Sequence, residues 1–508
     1  MLTIENQCEN CQARWAEYAG EDVDLPDGPW NETYTEWKTF SNDIIAEWTG
    51  KMQEFIAERL PNAGLILGEA ADLRFHESNF AIDRDFWPFH TAETVSKFAS
   101  ANPDIPVLVN SAAFLDHAYR MATVGAEHFV QFHLQAIARG ARPSTYIIGV
   151  PGQIPWPGID TAGEVMSFYR QWKDVYTGMV PVAKTGIVLP QERQMNESDY
   201  ELADSEYKGL YRALQELHVP FDVIAHENLL EMSENEALER YQAIFLPHLG
   251  TLKDEDAEAL DSWTEAGGTL ISTGLVGVSN GSDSTLQLES LPATRRLEYF
   301  AEIEETWSEY FAPEQNRTEE NIYEGPLIPL LGSYGTYEWK EDARTRYGKL
   351  AYAPFAPPEY IYGQVQVDEP GAAFAPFGDG TGVLVTFLAG SGYRETGLTP
   401  FRDFIELVLD EAGGSGEALE FDLVPQIEVT LHKNAKGQTV IHLINVSGIG
   451  YKSFGAHLPL PAGSIRLTGE GGNVTAKTLH TNLDLEVVDG EIQLPGIELF
   501  DVVVIEGL

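Results

Sequence analysis

The sequence predicts a multidomain α/β protein, in which two sets of alternating strands and helices precede a β-rich module. The chain has 508 residues, which is too many for one hydrophobic core and fits about three domains of roughly 150 residues each. Short apolar runs alternate with helical patterns over most of the chain, and period-two patterns replace them near the C-terminus. Hydrophobic residues make up 43% and charged residues 22% of the chain, as in folded globular domains.

The first set of alternating units lies before about residue 180. Apolar residues recur at helical spacing from Tyr34 to Leu60, and Pro61 then ends the pattern. Strands are predicted at 64–68, 105–109 and 145–149, with a helix at 128–139. Strands that alternate with helices form right-handed βαβ units, whose functional side chains lie on the loops that follow the strands.

The second set of units predicts a doubly wound, flavodoxin-like domain. Its strands are predicted at 186–189, 221–224, 243–246 and 269–272, with a further strand at 382–387. Apolar residues from Tyr207 to Leu217 form one helical stripe between the first two strands. The first strand runs into Pro190 without the G-x-G-x-x-G turn that brings backbone N–H groups to a pyrophosphate, so we do not expect nucleotide binding. Periodicity is weak from 280 to 350, and no element is predicted there.

The last part of the chain predicts an antiparallel β-sandwich. A glycine-rich linker begins near Asp410 and includes 412–416. After it, Ile427, Val429 and Leu431 alternate with polar residues, and further strands are predicted at 440–446 and 502–505. Turn residues separate these strands, as in small two-sheet modules.

The net charge is the most unusual feature of the composition. The chain has 79 acidic and 32 basic residues, a formal charge of -47 and a pI near 4.4. Such a surface repels nucleic acids and anionic lipids. Molar salt screens the self-repulsion, because the Debye length falls to about 3 Å. The acidic residues are spread along the chain rather than gathered in a tail, which favours a salt-adapted protein over an acidic protein of an ordinary cell.

The cysteine content and the N-terminal sequence favour a cytoplasmic protein. Cys8 and Cys11 are the only cysteines, so no disulfide framework joins the domains. No apolar run approaches 18 residues, and the first residues have neither a basic nor an apolar signal region. The Cys8-x-x-Cys11 pair is a weak candidate for half of a tetrahedral zinc site. With no further cysteine to complete it, we predict no metal and no other cofactor.

Several stretches resemble glycoside hydrolase family 42 β-galactosidases and related glycosidases. Cys8 to Trp37, with its tryptophans and cysteines, resembles the stretch after the fourth barrel strand, and 135–141 resembles the last barrel helix. Residues 219–224, 241–247 and 265–270 look like the β-galactosidase trimerisation domain, and 443–447 resembles the last domain more weakly. The resemblance implies the C-terminal half of a (β/α)8 TIM-type barrel at 1–180, a trimerisation-like α/β domain at 181–411 and a β-sandwich at 421–508.

The resemblance also implies that part of the active site is missing. In the family, the acid/base Glu lies just upstream of the cysteine-bearing segment, and Met1 falls after that point. The family's nucleophile is a Glu after the seventh strand, which corresponds to 105–109 in this sequence. No Glu matches that position, and only Asp116 is left, as a weak substitute. The polypeptide is then either a fragment or the partner of a chain that supplies the missing half-barrel, because half a barrel exposes a strand edge and apolar faces.

One polar run after a predicted strand holds the best candidates for catalysis. Glycosidic cleavage usually needs two carboxyl groups, and sugar sites combine carboxylates, forked donors and aromatic planes. We place Glu77 first and Glu69 second as the catalytic carboxylate. The predicted substrate-binding residues are Asp72, Arg74, Asn79, Trp87, His90, Asn110 and Arg120. A structural ion-pair loop built on Arg74 and Arg84 is the alternative interpretation.

The sequence therefore leads to two functional hypotheses. The first is a glycoside hydrolase-like protein that acts on a β-galactoside or related glycan and forms a homo-oligomer, such as a trimer, through its middle domain. The second is a non-catalytic carbohydrate-binding or oligomerisation scaffold that keeps these domains without a complete catalytic pair. An amidotransferase or peptidase on the middle domain is disfavoured, because no cysteine nucleophile follows a strand there.

Overall fold

The structure is a computed structural model that describes most of the chain from Glu9 to Leu508. The residues outside the description are 1–8, 21–22, 27, 29–30, 32, 67–70, 83, 150–151, 193–194, 196, 279–283, 302, 313–325, 351–356, 358–365, 451–452 and 469–473. None of the helices within the described ranges is long and apolar enough to cross a membrane.

The N-terminal region builds a small parallel sheet with helices on one side. Its elements are α1 (Glu9–Ala19), α2 (Tyr34–Arg59), β1 (Arg74–Ser78), α3 (His90–Ala101), β2 (Val107–Ala112), α4 (Ala126–Ile137), β3 (Arg142–Tyr146), α5 (Ile159–Gln171), α6 (Lys173–Tyr176) and β4 (Val180–Pro181). Within the described residues, the sheet has the strand order β1-β2-β3, and both pairs are parallel. The predicted helices at 34–60 and 128–139 and the strands at 105–109 and 145–149 are confirmed, the last with a shift of three residues.

The predicted strand at 64–68 is wrong where the structure describes it. Gly64 to Ile66 lie outside any strand, and Leu67 and Gly68 fall outside the described residues. The strand is instead β1, which lies within the run predicted to be a polar loop. Its sequence, Arg-Phe-His-Glu-Ser, lacks an apolar signal because its buried positions are polar residues. Ser78, for example, is hydrogen-bonded to Thr91 of α3 through its hydroxyl, at 2.7 Å.

The two faces of this sheet differ in how they are covered. Helices α3 and α4 cover one face, where Val107 and Val109 pack against Val95, Phe98 and Ala136. On the opposite face, which we call the open face, all side chains except the small Ala112 are half-buried or exposed. The open face consists of Phe75, Glu77, Leu108, Asn110, Ala112, Arg142, Ser144 and Tyr146.

The middle region contains a large mixed sheet. Its elements are β5 (Thr185–Leu189), α7 (Glu197–Glu216), β6 (Phe221–Ala225), α8 (Leu229–Glu234), β7 (Ala243–Pro247), α9 (Asp254–Glu265), β8 (Thr269–Thr273), β9 (Ala293–Phe300), β10 (Tyr310–Ala312), β11 (Ile328–Pro329), β12 (Tyr334–Trp339), β13 (Arg344–Leu350), β14 (Gln366–Phe377), β15 (Gly380–Val385), α10 (Ala389–Thr396) and α11 (Thr399–Glu411). The strand order over the described residues is β11-β10-β13-β14-β15-β8-β7-β5-β6.

The parallel part of this sheet has the order of doubly wound domains. From β6 through β5, β7 and β8 to β15 all pairs are parallel, which in chain order reads 2-1-3-4-5. The five strands predicted between 186 and 387 are confirmed, with ends within two residues of the predicted ones. Residues 280–350, for which no element is predicted, contribute antiparallel strands, including the two-stranded sheet of β9 and β12.

Helix α3 joins the N-terminal sheet to the middle region. It packs beside β6, the edge strand of the large sheet. The Ser96 hydroxyl accepts a hydrogen bond from Val223 N at 2.9 Å, and the Ser100 hydroxyl donates to Val223 O at 2.6 Å. These two serines satisfy backbone groups that an edge strand otherwise leaves unpaired. The α3 helix therefore covers the strand edge and fixes the two regions together.

The C-terminal region forms two antiparallel sheets. Its strands are β16 (Leu419–Asp422), β17 (Ile427–Lys433), β18 (Thr439–Asn445), β19 (Gly463–Leu467), β20 (Thr475–Thr478), β21 (Asp484–Leu485), β22 (Val487–Val488), β23 (Glu491–Leu494) and β24 (Phe500–Glu506). In the described part of the chain the sheet orders are β16-β19-β23-β22 and β21-β20-β24-β18-β17-β4. Strand β4 pairs with β17, so the N-terminal region extends a C-terminal sheet. The predicted strands at 427–431, 440–446 and 502–505 are confirmed.

A buried ion pair links the C-terminal sheets to the N-terminal region. Arg139, which follows α4, places Nη2 2.7 Å from Oε1 of Glu428 on β17, and both side chains are buried. Gln135 of α4 donates to the other oxygen of Glu428 at 3.3 Å. Both α3 and α4 thus anchor neighbouring regions, and both lie on the covered side of the small parallel sheet.

Candidate functional site

The open face carries a polar row close to the carboxyl ends of its strands. Strand register places Glu77 beside Asn110 and Asn110 beside Ser144. Cross-strand neighbours in register point to the same face, so the three side chains lie side by side. Ser144 Oγ donates to Asn110 Oδ1 at 3.0 Å, and Glu77 is exposed. The structure therefore brings together two of the predicted site residues, Glu77 and Asn110, with a serine.

An aromatic group lies one step further along the same face. Tyr146 is two residues after Ser144, so its ring is on the open face, at the carboxyl end of β3. The ring contacts Phe114 edge to face at 5.0 Å between centroids and lies 6.1 Å from His117. An aromatic plane beside a polar row is the arrangement that sugar rings bind. Sequence analysis missed Ser144 and Tyr146, for which the alternation of side chains along β3 was the available signal.

The loops at the carboxyl ends are tied together by Asp116. Its carboxylate accepts hydrogen bonds from Ile82 N at 3.2 Å and from Ala118 N at 3.4 Å. These backbone donors, first of all Ile82 N, lower the pKa of Asp116 below its ordinary value. Asp116 therefore holds the loop after β1 against the loop after β2, which is a positioning role. Arg120 lies exposed on the same loop.

Asn79 follows Glu77 by two residues at the end of β1. Its side-chain nitrogen lies 3.5 Å from the Glu77 carbonyl oxygen, and its Oδ1 accepts from Arg84 at 3.3 Å. Asn79 therefore lies at the end of β1, next to the open face.

Asp72 and Arg74 lie at the opposite, amino end of β1. The Asp72 carboxylate accepts a hydrogen bond from Leu65 N at 2.8 Å, which links Asp72 to the segment that precedes it in the chain. Arg74 is buried, donates to Phe98 O and lies over the Phe98 ring. The prediction placed both in a loop after a strand, and the true strand position moves them away from the polar row. Arg74 begins β1, whereas Arg84 lies in the loop that follows the strand.

Trp87 and His90 also lie apart from the polar row. Trp87 Nε1 donates to the buried Glu93 at 2.9 Å, and its ring packs against Tyr211 of α7. His90 begins α3, with its ring 4.9 Å from that of His76 on the covered side of β1. Burial lowers the pKa of His76 to about 3 and that of His90 to about 4, so both rings are neutral near pH 7.

Two predicted positions fall outside the described residues. Glu69, the second candidate carboxylate, is one, and Cys8 is the other. Cys11 lies half-buried on α1. Among the residues that the structure describes, no group of three or more His, Cys, Asp or Glu side chains could hold a metal ion.

The polar row contains one exposed carboxyl group, whereas glycosidic cleavage usually needs two. An exposed carboxylate can stabilise positive charge on a sugar ring, attack it or accept a proton. The paired amide and hydroxyl of Asn110 and Ser144 can orient sugar hydroxyls. The second carboxyl group required for either stereochemical outcome has to come from another part of the site.

Comparison with known proteins identifies the middle region. Residues 187–342 match the family described as the β-galactosidase trimerisation domain. A search of curated proteins finds no match.

Solved structures match almost the whole chain in fold. α-L-Fucosidase isoenzyme 2 from Paenibacillus thiaminolyticus has a TM-score of 0.71 at 16% identity, over 98% of this chain and 75% of that one. A β-galactosidase from Bacillus circulans sp. alkalophilus gives 0.68 at 13%, over 98% and 77%. A family 42 β-galactosidase from G. stearothermophilus gives 0.66 at 14%, over 97% and 72%. The chain thus matches the β-galactosidase trimerisation domain over 187–342 and shares its α/β fold with a family 42 β-galactosidase, in line with the sequence resemblance.

Proposed function

We propose that the chain is a glycoside hydrolase-like protein that acts on a β-galactoside or a related glycan. The observation that carries this proposal is the row of Glu77, Asn110 and Ser144 on the open face. Functional side chains of parallel α/β folds lie at the carboxyl ends of their strands, and Glu77 is the fourth of five residues in β1. Tyr146 adds an aromatic plane at the same end. The trimerisation domain and the glycosidase-like fold support this assignment.

The proposal divides the chain as the sequence resemblance implies. Residues 1–180 supply the closing units of a sugar-cleaving barrel, 181–411 the trimerisation-like domain and 421–508 the β-sandwich. The middle domain builds a homo-oligomer, such as a trimer. The high acidic charge fits a cytoplasmic protein of a salt-adapted cell.

Exposed apolar surface supports a further partner for the N-terminal region. One face of α2 carries large hydrophobic side chains at helical spacing, and all of them are exposed. They are Ile45 (43% exposed), Trp48 (58%), Met52 (44%) and Phe55 (57%). An apolar stripe of this kind on a helix normally faces a sheet. We infer that further β/α units, in this polypeptide or in a separate chain, cover the stripe and the open face and bring the second carboxyl group.

The test is replacement of the proposed catalytic carboxylate. Glu77→Gln keeps the size of the side chain and removes its charge, and we expect the release of aryl β-galactoside to fall about 100-fold or more. The assay is run in molar salt, with and without any polypeptide that co-purifies with the chain. Glu164→Gln, on the exposed side of α5, is the matched control. Equal turnover by Glu77→Gln and the control would reject Glu77 as the catalytic carboxylate.

The second candidate function is a non-catalytic carbohydrate-binding scaffold. The contacts of Asp116 favour this function. Its carboxylate oxygens accept hydrogen bonds from backbone N–H groups, so they hold loops together rather than act on a substrate. Under this function the chain binds galactosides without cleaving them. Saturation-transfer NMR on galactose, together with no release of aryl galactoside by any form of the protein, would support the scaffold over the enzyme.

A further inference from the structure

A cleft lies where the three regions of the chain meet, apart from the open face. Its volume is about 690 Å³, which is within the range of small-molecule sites. The walls come from the loop between β1 and α3 (85–89), from α7, from α10 and from the segments at either end of the β17–β18 hairpin. No residue of the open face lines this cleft, so the two sites are separate.

Several basic side chains line this cleft, although the protein as a whole is strongly acidic. Lys208, Arg212 and Arg394 line it, together with two carboxylates, Asp85 and Glu216. The whole chain has 79 acidic and 32 basic residues, whereas the three cations of this cleft face Asp85, Glu216 and Asp204, so the cleft is far less negative than the rest of the chain. An anionic ligand is therefore repelled less here than by the general surface.

The two arginines retain hydrogen-bond donors for a ligand. Among the described residues, Arg212 donates one hydrogen bond, from Nε to Glu216 at 2.7 Å, and its side chain is about half exposed. Arg394 reaches Asp204 and Asp85 at 3.7 and 3.9 Å, which is beyond hydrogen-bonding distance. Lys208, by contrast, is held by Asp204 at 2.6 Å. The N–H groups at the ends of both guanidinium groups are therefore available, and their planar fork fits a carboxylate.

The remaining walls suit the apolar face of a sugar ring. Trp87 and Phe86 are half-buried aromatic residues of the β1–α3 loop, and Ile449 extends the apolar wall on the other side. Trp87 is held in place by its hydrogen bond to Glu93 and its contact with Tyr211. A fixed aromatic plane costs little entropy on binding and packs against sugar C–H groups.

We propose that this cleft binds a carboxylated saccharide, with its carboxylate on Arg212 and Arg394 and its ring against Trp87. The site goes beyond the proposed hydrolase activity, and it takes an acidic sugar rather than a neutral galactoside. It is built from all three regions, so occupation also holds them in their relative positions.

The test is binding, without any measurement of hydrolysis, so that it stands or falls separately from the proposed function. D-galacturonate is titrated calorimetrically into the full chain at the lowest salt concentration that preserves its far-UV circular dichroism. D-galactose is the neutral control and acetate is the bare carboxylate. We expect galacturonate to bind most tightly, and Arg394→Gln and Arg212→Gln each to weaken it about tenfold. Arg466→Gln, an exposed arginine on β19, is the control and leaves binding unchanged.

Three results would overturn the proposal. The first is the absence of galacturonate binding by a chain whose circular dichroism shows it to be folded. The second is equal binding of acetate and galacturonate, which would make the cleft a general anion site. The third is equal weakening by the control and by both cleft variants. Thermal unfolding of each variant separates a lost contact from a lost fold.

Discussion

Removing one partner of the buried ion pair between Arg139 and Glu428 should strongly destabilise the protein. The Arg139 side chain is 8% and the Glu428 side chain 1% exposed, and Nη2 and Oε1 are 2.7 Å apart. Burial alone would lower the pKa of Arg139, but the charge and hydrogen bond of Glu428, together with Tyr211 and Asp222, outweigh burial and raise that pKa. Glu428→Gln leaves the guanidinium buried without a counterion. Losing one partner of such a pair costs about 3–5 kcal/mol.

The assay is thermal unfolding in molar salt, followed by calorimetry. For a domain of about 60–100 residues, such as the module at 421–508, about 1 kcal/mol corresponds to a shift of 4–8 °C, so a loss of about 3 kcal/mol in Glu428→Gln should lower the unfolding temperature of the C-terminal module by about 12 °C or more. The double variant Arg139→Met/Glu428→Leu removes both charges and should cost much less, since an apolar pair can replace a buried ion pair. A shift below about 2 °C for Glu428→Gln, or an equal loss in the double variant, would refute this account.

Three further predictions follow from charge and packing. The unfolding midpoint should rise steadily with KCl, because salt screens the charge of -47, and a midpoint independent of salt would contradict the interpretation of salt adaptation. Gly209→Ala should cost at least about 2 kcal/mol in urea unfolding, since its Cβ would lie 1.8 Å from Gly390 O, whereas Gly163→Ala, with open space around it, should not destabilise. Burial raises the pKa of Glu93 from 4.5 to about 7, so the folded chain holds a proton that the unfolded chain loses between these values. Stability should therefore fall by about 3 kcal/mol as pH rises through that window, and Glu93→Gln should remove this part of the slope.

The middle region could be predicted from sequence because its strands are buried on both faces. Strand β7, Ala243–Pro247, is buried at every position, and its apolar run is the signal that sequence analysis reads. Strand β9, in contrast, alternates single buried residues with exposed pairs, including Arg295 and Glu298. Its position depends on pairing with β12, which lies more than 30 residues away, and no local pattern records that pairing.

The candidate site could be predicted only in part, for a related reason. Glu77 and Asn110 were selected as polar residues near predicted strands, and they do lie side by side. Their alignment with Ser144 depends on the register of three strands, which long-range contacts set. The sequence misplaces Asp72 and Arg74, because β1 has polar residues on its covered face and the apolar run before it has the pattern of a strand.

The contacts that anchor the three regions to one another lie away from the open face. Helices α3 and α4 carry the contacts that hold the other two regions, through Ser96, Ser100 and Arg139. All of these contacts are on the covered side of the small sheet, and none uses a side chain of the open face. The fold is therefore anchored without Glu77, whose exposed carboxylate contributes no described hydrogen bond to stability. Glu77→Gln should therefore leave the unfolding temperature unchanged, and under the proposed function it should still reduce activity.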